Sequence, residues 1–341
     1  MNYDVVIIGA GPAGLFAAYE LSLNSKLKVL VVDKGKDINQ RKDVLSGVGG
    51  AGLFSDGKLN LTPVHGKTNL FEFLPRKDAY NLIQRIDDIF IKFGAPKKYY
   101  TEADGKAKKL KEKAKKHGIE LLLLKQKHIG SDRLKILMGR FVDFLKKNDI
   151  KFMLNCDVNE FIIKNNKIIG IKTTRGIIKS DYIISCPGRV GSKWMIEQTK
   201  KLGISIKHRG IEVGVRVEVP ANVMKKVTDI IWDPPFFIKT KKYKDRVRTF
   251  CTCPYGFIAK ETYHGFIGVN GYCRTDKKSK NTNFALLSNT ELTHPATDTI
   301  AYGESIGTLG TTIAGGTPFI QRFSDLINYR RSYWNRIKKC D

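Results

Sequence analysis

The chain's 341 residues are 42% hydrophobic and 10% aromatic, which is ample for a large core in one large or two interleaved domains. No apolar run approaches the roughly 18 residues of a membrane helix, and the N-terminus enters a strand without a secretory leader's basic and apolar regions, so no membrane span and a cytoplasmic address are expected. The net charge of +27 is compatible with an anionic partner, but the basic residues are spread throughout, and the densest run, KAKKLKEKAKK (106–116), has no aromatics and reads as an exposed helix face.

In chain order, residues 3–9 predict an apolar strand, 12–23 a helix and 28–33 a second strand, together a parallel βαβ unit. The segment LSGVGGAGLFSDGKLNL (45–61) follows, with five glycines; it is either a loose linker or a backbone that something lies against. Residues 76–93 and 102–117 predict helices, and IELLLLK (119–125) a buried strand. Ser131 or Asp132 is expected to cap a helix running to about 147. From 150 to 188 the pattern is strand after strand, with Asn165-Asn166 as a tight hairpin turn, and DYIISCPG returns as an apolar strand. Residues 192–202 predict a helix stopped by Gly203. From 211 to about 290 the texture is β-rich, a second and mostly antiparallel domain with KTKKYKDR and RTDKKSKNTN as loops at its tips; 298–341 is helical in part.

The first strand runs into G-x-G-x-x-G at Gly9, Gly11 and Gly14, and the pattern opens a helix. Gly9 permits the tight turn, Gly11 lets backbone approach a pyrophosphate, and Gly14 lets helix and strand pack closely. Pro12 and Ala13 open the helix, whose N-terminal N–H groups and dipole favour phosphate. The second strand ends at Asp33, 24 residues after Gly9, followed by Lys34. A carboxylate there accepts both ribose hydroxyls and argues against a 2′-phosphate, hence against NADP in this site. The fingerprint alone leaves FAD and NAD open.

The order of the remaining elements resembles the glutathione-reductase-type FAD fold, in which a β-meander (here 151–179) precedes the next parallel strand (here 181–186). The whole string, with GVGGAGLFSDGKLNL, KHIGSDRL, GVRVEVP, VRTFCTCP and NTNFALL, resembles an uncharacterised family of FAD-dependent dehydrogenase-like proteins over nearly its full length. That resemblance implies an α/β fold: a Rossmann-like FAD-binding domain of parallel sheet plus meander at 1–208, discontinuous in the family, a substrate or cap domain at 209–297, and a partly helical return segment at 298–341. It also implies that Val158 touches the adenine through its backbone and that Gly188, in Cys186-Pro187-Gly188, approaches the cofactor. By the same resemblance the glycine-rich segment, with Gly49, Gly50 and Ser55, lines the pyrophosphate, ribityl chain and ring. A closing strand with Gly-Asp, which holds the ribityl chain in this fold, is missing from the sequence, so a truncated member is one expectation.

Lys58 and His128 are the candidate cationic groups at the ring, each weighed against an ordinary surface lysine or structural histidine. Six cysteines without a C-x-x-C argue against a structural zinc site, and no metal is expected. Cys251 and Cys253 fall on one face of a strand, but a disulfide between them is strained and disulfide reductases of this fold use wider spacing. No second dinucleotide fingerprint is found, so NAD(P)H enters only as a diffusible donor. The expected function is an FAD-dependent oxidoreductase passing hydride between the flavin and a small organic substrate. The alternatives are an RNA-modifying flavoprotein of the same fold and an inactive truncated flavin-binding fragment.

Overall fold

In β1 (Asn2–Ile8) successive side chains are buried on opposite faces, Val5 and Ile7 in one core and Val6 and Ile8 in another. A strand covered on both faces reads as an unbroken apolar run, which is why the sequence pattern there was continuous rather than alternating. The computed structural model describes residues 1–66, 68–100 and 105–337, so the first residues of the helix expected from 102, the end of the segment expected to 341, and Cys340 lie outside the described residues.

The chain divides into two compact units. The first comprises Met1–Glu112, Leu122–Lys207 and Tyr272–Lys278. Here β1 leads through α1 (Pro12–Asn24) to β2 (Val29–Val32). The glycine-rich segment ends in β3 (Lys58–Asn60), and a short pair, β4 (Val64–His65) and β5 (Thr68–Asn69), precedes α2 (Arg76–Lys92) and the lysine-rich α3 (Gly105–Lys116), which runs across the division between the units. After β6 (Glu120–Leu121), which belongs to the other unit, come β7 (Gln126–His128), α4 (Ser131–Lys147), β8 (Lys151–Met153), β9 (Val158–Lys164), β10 (Lys167–Thr173), β11 (Gly176–Ser185) and α5 (Ser192–Lys201). The main sheet has the order β8-β2-β1-β11-β10-β9. Its first four strands are parallel, and β10 and β9 form the antiparallel meander. Val5, Ile7, Val29 and Val31 meet α1 and α4 through Leu15, Leu137, Phe141 and Leu145. Val6, Ile8, Leu30 and Val32 meet the meander through Phe161, Ile171 and Ile178, with Trp194 of α5 against them. Asn165 and Asn166 both adopt positive φ, 50° and 60°, the left-handed pair that a two-residue hairpin needs.

The second unit comprises Lys113–Leu121, His208–Gly271 and Ser279–Asp341. It is built on β12 (Ile211–Pro220), α6 (Ala221–Thr228), β13 (Phe236–Lys239), β14 (Arg246–Cys253), β15 (Phe257–Tyr263), β16 (Phe266–Tyr272) and β17 (Asn281–Thr290). A five-stranded antiparallel sheet has the order β12-β17-β14-β13-β6, and β15 and β16 form a hairpin. Then come α7 (Thr299–Ile313), capped by the Asp298 carboxylate on the Ile300 and Ala301 N–H groups, α8 (Phe323–Ile327) and α9 (Trp334–Ile337).

Three expectations fail for tertiary reasons. IELLLLK is a strand only at Glu120–Leu121, because those residues pair with β13 and the chain leaves that unit at Leu122. The cap of α4 is Gly130, not Ser131 or Asp132. Both side chains are engaged elsewhere: the Ser131 hydroxyl donates to the Ser55 carbonyl (2.7 Å) and accepts from the Cys273 N–H (3.0 Å), and the Asp132 carboxylate accepts from the Thr275 N–H and hydroxyl. Those same bonds draw residues 272–278 into the first unit, so the start of RTDKKSKNTN is not a loop tip of the second.

Candidate cofactor site

Beyond β1 the chain turns at Gly9, which holds φ +102° and donates its N–H to the Val32 carbonyl at 2.8 Å. A Cβ on Gly9 would stand 2.2 Å from the Cys186 carbonyl oxygen, and one on Gly14 would stand 1.9 Å from the Gly9 carbonyl oxygen. These two glycines are required by the protein's own packing, of the turn on β11 and of α1 on the turn. Gly11 is different. It sits at φ −75°, ψ 179°, open to any residue, and the nearest described atom to a Cβ there is the Gly50 Cα at 3.8 Å, ordinary contact. Nothing in the described protein requires a glycine at 11. Just beyond it α1 begins at Pro12, with no side-chain cap and no acidic residue in its first turn among the described residues. Its first N–H groups, including that of Ala13, are therefore available to an anion.

The Asp33 carboxylate is fixed by two backbone donors, the Ala10 N–H to Oδ2 and the Gly35 N–H to Oδ1, each at 2.7 Å. Lys34 beside it is exposed. The Cys156 N–H donates to the Asp33 carbonyl and the Asn155 N–H to that of Gly35, so the start of the meander, and Val158 with it, runs along the same turn. Gly188, at φ +61°, follows the end of β11, where the Cys186 N–H donates to the Ile8 carbonyl. Gly9, Gly11, Pro12, Ala13, Gly14, Asp33, Val158 and Gly188 thus gather at the carboxyl ends of β1, β2 and β11, the crevice where open α/β sheets bind ligands.

The glycine-rich segment is not a linker. The Gly49 N–H donates to the Ala10 carbonyl at 2.8 Å, and a Cβ on Gly50 would stand 2.9 Å from the Gly11 Cα and 3.2 Å from the Pro12 Cδ. With φ +57° as well, Gly50 is demanded by the loop-on-loop contact itself, so Val at 50 is strained with or without a cofactor. Sequence reasoning missed the residue that holds the segment down. Arg41 is 8% exposed; its Nη1 donates to the carbonyls of Val48 (2.8 Å) and Gly50 (2.7 Å), its Nη2 donates to that of Asp43 (2.9 Å), and its guanidinium lies over the Phe54 ring. Burial pulls its pKa down, against the carboxylates of Asp33 and Asp43. Its buried Nε–H finds no hydrogen-bond partner among the described residues. In the sequence NQRKDV it looks like any surface charge, and no local pattern marks it.

The other end of the segment carries Ser55, Lys58 and, across the β3–β7 ladder, His128. Ser55 donates to the Gly52 carbonyl at 2.8 Å. Lys58 pairs with His128 in the strand register, and its ammonium lies 2.6 Å from Asp56 Oδ2 with both side chains 8% exposed. His128 is held down to about 4, chiefly by burial, with Asp56 and Asp132 opposing and Lys58 assisting. The fold therefore accommodates a neutral imidazole. The unfolded chain binds this proton near pH 6.5 and the folded chain only near 4, so the residue's contribution is complete above about pH 6.5 and is lost as pH falls towards 4, a difference of about 3 kcal/mol. His128→Gln should flatten the wild-type loss of stability between those values in denaturant titrations at stepped pH; an unchanged slope would mean that His128 titrates normally in the folded chain.

An uncapped helix N-terminus, a carboxylate at the end of the second strand and a glycine whose surroundings leave room for a Cβ together fit the adenosine and pyrophosphate of a dinucleotide. Residues 4–129 match the family described as FAD dependent oxidoreductase. The matched segment contains β1, α1, β2, the whole glycine-rich segment, Lys58 and His128. Over 310 residues the chain is 24% identical to an uncharacterized protein of Clostridium beijerinckii, a match covering 83% of this chain and 50% of that one. A 33-residue stretch is 72% identical to an uncharacterized protein of Methanosarcina barkeri, covering 10% and 8% of the two chains. The chain spans about half the length of the first of these relatives, and the match takes in far less of the second. Among solved structures, glycine oxidase from Bacillus cereus is 15% identical, over 88% of this chain and 77% of that one, with a TM-score of 0.40. Among the described residues no helix is long and apolar enough to cross a membrane.

Proposed function

We propose that the chain binds FAD in this crevice and passes hydride between it and a small organic substrate. The α1 N-terminus and the backbone at Gly11 hold the pyrophosphate, Asp33 the adenosine ribose, and the backbone at Val158 the adenine. Arg41 keeps Gly47–Gly50 seated on the phosphate loop. FAD supplies the ring that accepts or gives the hydride. Near it, Lys58 shares its charge with Asp56 at 2.6 Å, and burial keeps His128 neutral across physiological pH, so it does not act as the cationic group expected from the sequence. Electrons are exchanged with a diffusible partner such as NAD(P)H, in keeping with the single dinucleotide fingerprint in the sequence.

The observation that carries this reading is Gly11, which the protein's packing leaves unexplained and a pyrophosphate explains. The test is the visible spectrum of the purified chain, followed by acid release and chromatography of whatever is bound. Yellow protein that yields FAD is expected. Release of FMN alone, or failure to take up FAD from excess, overturns it.

A further inference from the structure

Cys251 and Cys253 flank Thr252 at the end of β14. In a regular strand residues i and i+2 share a face but stand about 7 Å apart along it. Here the pairing of β14 with β17 slips between Phe250 and Cys253, and Cys251 takes φ +51°. Across this bulge the two sulfurs lie within 4.8 Å of one another, both reduced and both buried. The Cys253 thiol faces the Cys251 carbonyl at 3.5 Å.

A cation is built in beside them. Arg216 on β12 donates from Nε to Asn283 Oδ1 (2.7 Å) and from Nη2 to the Cys251 carbonyl (2.6 Å), and the same Nη2 lies 3.5 Å from Cys253 Sγ. Gly271 makes the room: a Cβ there would stand 1.9 Å from Arg216 Nη2 and 2.4 Å from Cys253 Sγ. Asn270 Oδ1 lies 3.8 Å from Cys251 Sγ. A guanidinium held against a thiol favours its thiolate. Cysteines that only fill space need neither a converging bulge nor a fixed cation.

We propose that Cys251 and Cys253 form a reversible dithiol–disulfide couple, with Arg216 holding the Cys253 sulfur as its thiolate. The co-reactant is a low-molecular-weight disulfide, RSSR. Cys251, 5% exposed against 0% for Cys253, exchanges first: its sulfur bonds to one RS, and the other leaves as RSH with the Cys251 proton. The Cys253 thiolate, its own proton gone to solvent, then attacks the Cys251 sulfur and expels the second RS⁻, which is protonated from solvent. Two protein thiols become one disulfide, and RSSR is reduced to two RSH. Closing so short a loop leaves a strained disulfide, the kind that is easily reduced and therefore suited to cycling.

The experiment equilibrates the folded full-length chain with glutathione buffers of stepped oxidised-to-reduced ratio, followed by acid quench, alkylation and peptide mapping. The peptide spanning 251–253 should lose both alkylations together and become lighter by two hydrogens, while Cys156 and Cys273 stay alkylated. Arg216→Met removes the thiolate's counter-charge, which destabilises the reduced form, so closure should occur at a several-fold lower proportion of oxidised glutathione; Arg216→Lys should stay near wild type. In Cys253→Ser, Cys251 should stop at the mixed disulfide. A 251–253 link that appears only in urea, or none at all, overturns the couple. An unchanged midpoint in Arg216→Met, with the fold intact, overturns the role of Arg216.

Discussion

Gly11→Ala should lose FAD while the apoprotein melts at its wild-type temperature. Its backbone dihedrals suit alanine, and the added Cβ would meet nothing described closer than 3.8 Å. Two small effects on the apo fold oppose each other: alanine is a poorer N-cap than glycine, and it reduces the entropy of the unfolded chain. Against a bound pyrophosphate the methyl is overpacked, at about 1–3 kcal/mol, or roughly a 5–150-fold loss of affinity. Flavin fluorescence titration beside calorimetry of the apoprotein would separate the two effects. Wild-type FAD affinity in Gly11→Ala would mean that the pyrophosphate does not lie on this turn. Gly50→Val is a poorer test, because the clash with Gly11 and Pro12 disturbs the loop before any cofactor arrives.

The second large effect is on stability. Lys127 on β7 is fully buried, and its ammonium is paired with Asp87 of α2, also buried. The Tyr99 hydroxyl donates to the other Asp87 oxygen at 2.6 Å, and the Lys127 ammonium lies 4.5 Å from the Tyr99 ring centroid. Asp87 accordingly pushes the Tyr99 hydroxyl up to about 12, first through that hydrogen bond. Asp87→Ala would strand a buried ammonium, and a loss of about 3–5 kcal/mol is expected in urea unfolding. Lys127→Met with Asp87→Leu should recover most of it, since an apolar pair of similar volume carries no desolvation cost. By contrast, breaking the exposed Lys225–Asp229 pair should be nearly neutral. If Asp87→Ala unfolded like the wild type, the pair would not be buried in solution. Lys127 immediately precedes His128, so this ion pair also fixes the strand that carries His128.

The βαβ start, the fingerprint and the meander were legible because their causes are local. An apolar run between turns makes a buried strand, a glycine pattern makes the turn, and two asparagines make the hairpin, each within about a dozen residues. Gly9 and Gly14 fall at one turn for that reason, and the βαβ order brings Asp33, 23 residues from Ala10, beside it. The sequence also carried the parallel-then-antiparallel order, because a period change marks it.

Arg41, Lys127 and Arg216 were not legible. Each is a cation in an unremarkable context whose partners, Gly50, Asp87 and Cys253, lie 9, 40 and 37 residues away. Burial turns such a cation from a solvated charge into a clamp, and burial is a property of the packed chain. Ser131 and Asp132 carried a correct local signal for a cap and were diverted to Ser55, Cys273 and Thr275. The roles of the glycines divide the same way. The spacing alone determined that Gly9, Gly11 and Gly14 lie at the turn from β1 into α1. Only the tertiary structure decided that Gly50 is demanded by a close backbone contact and that Gly11 is not, because what a missing Cβ leaves room for depends on which distant backbone closes over it.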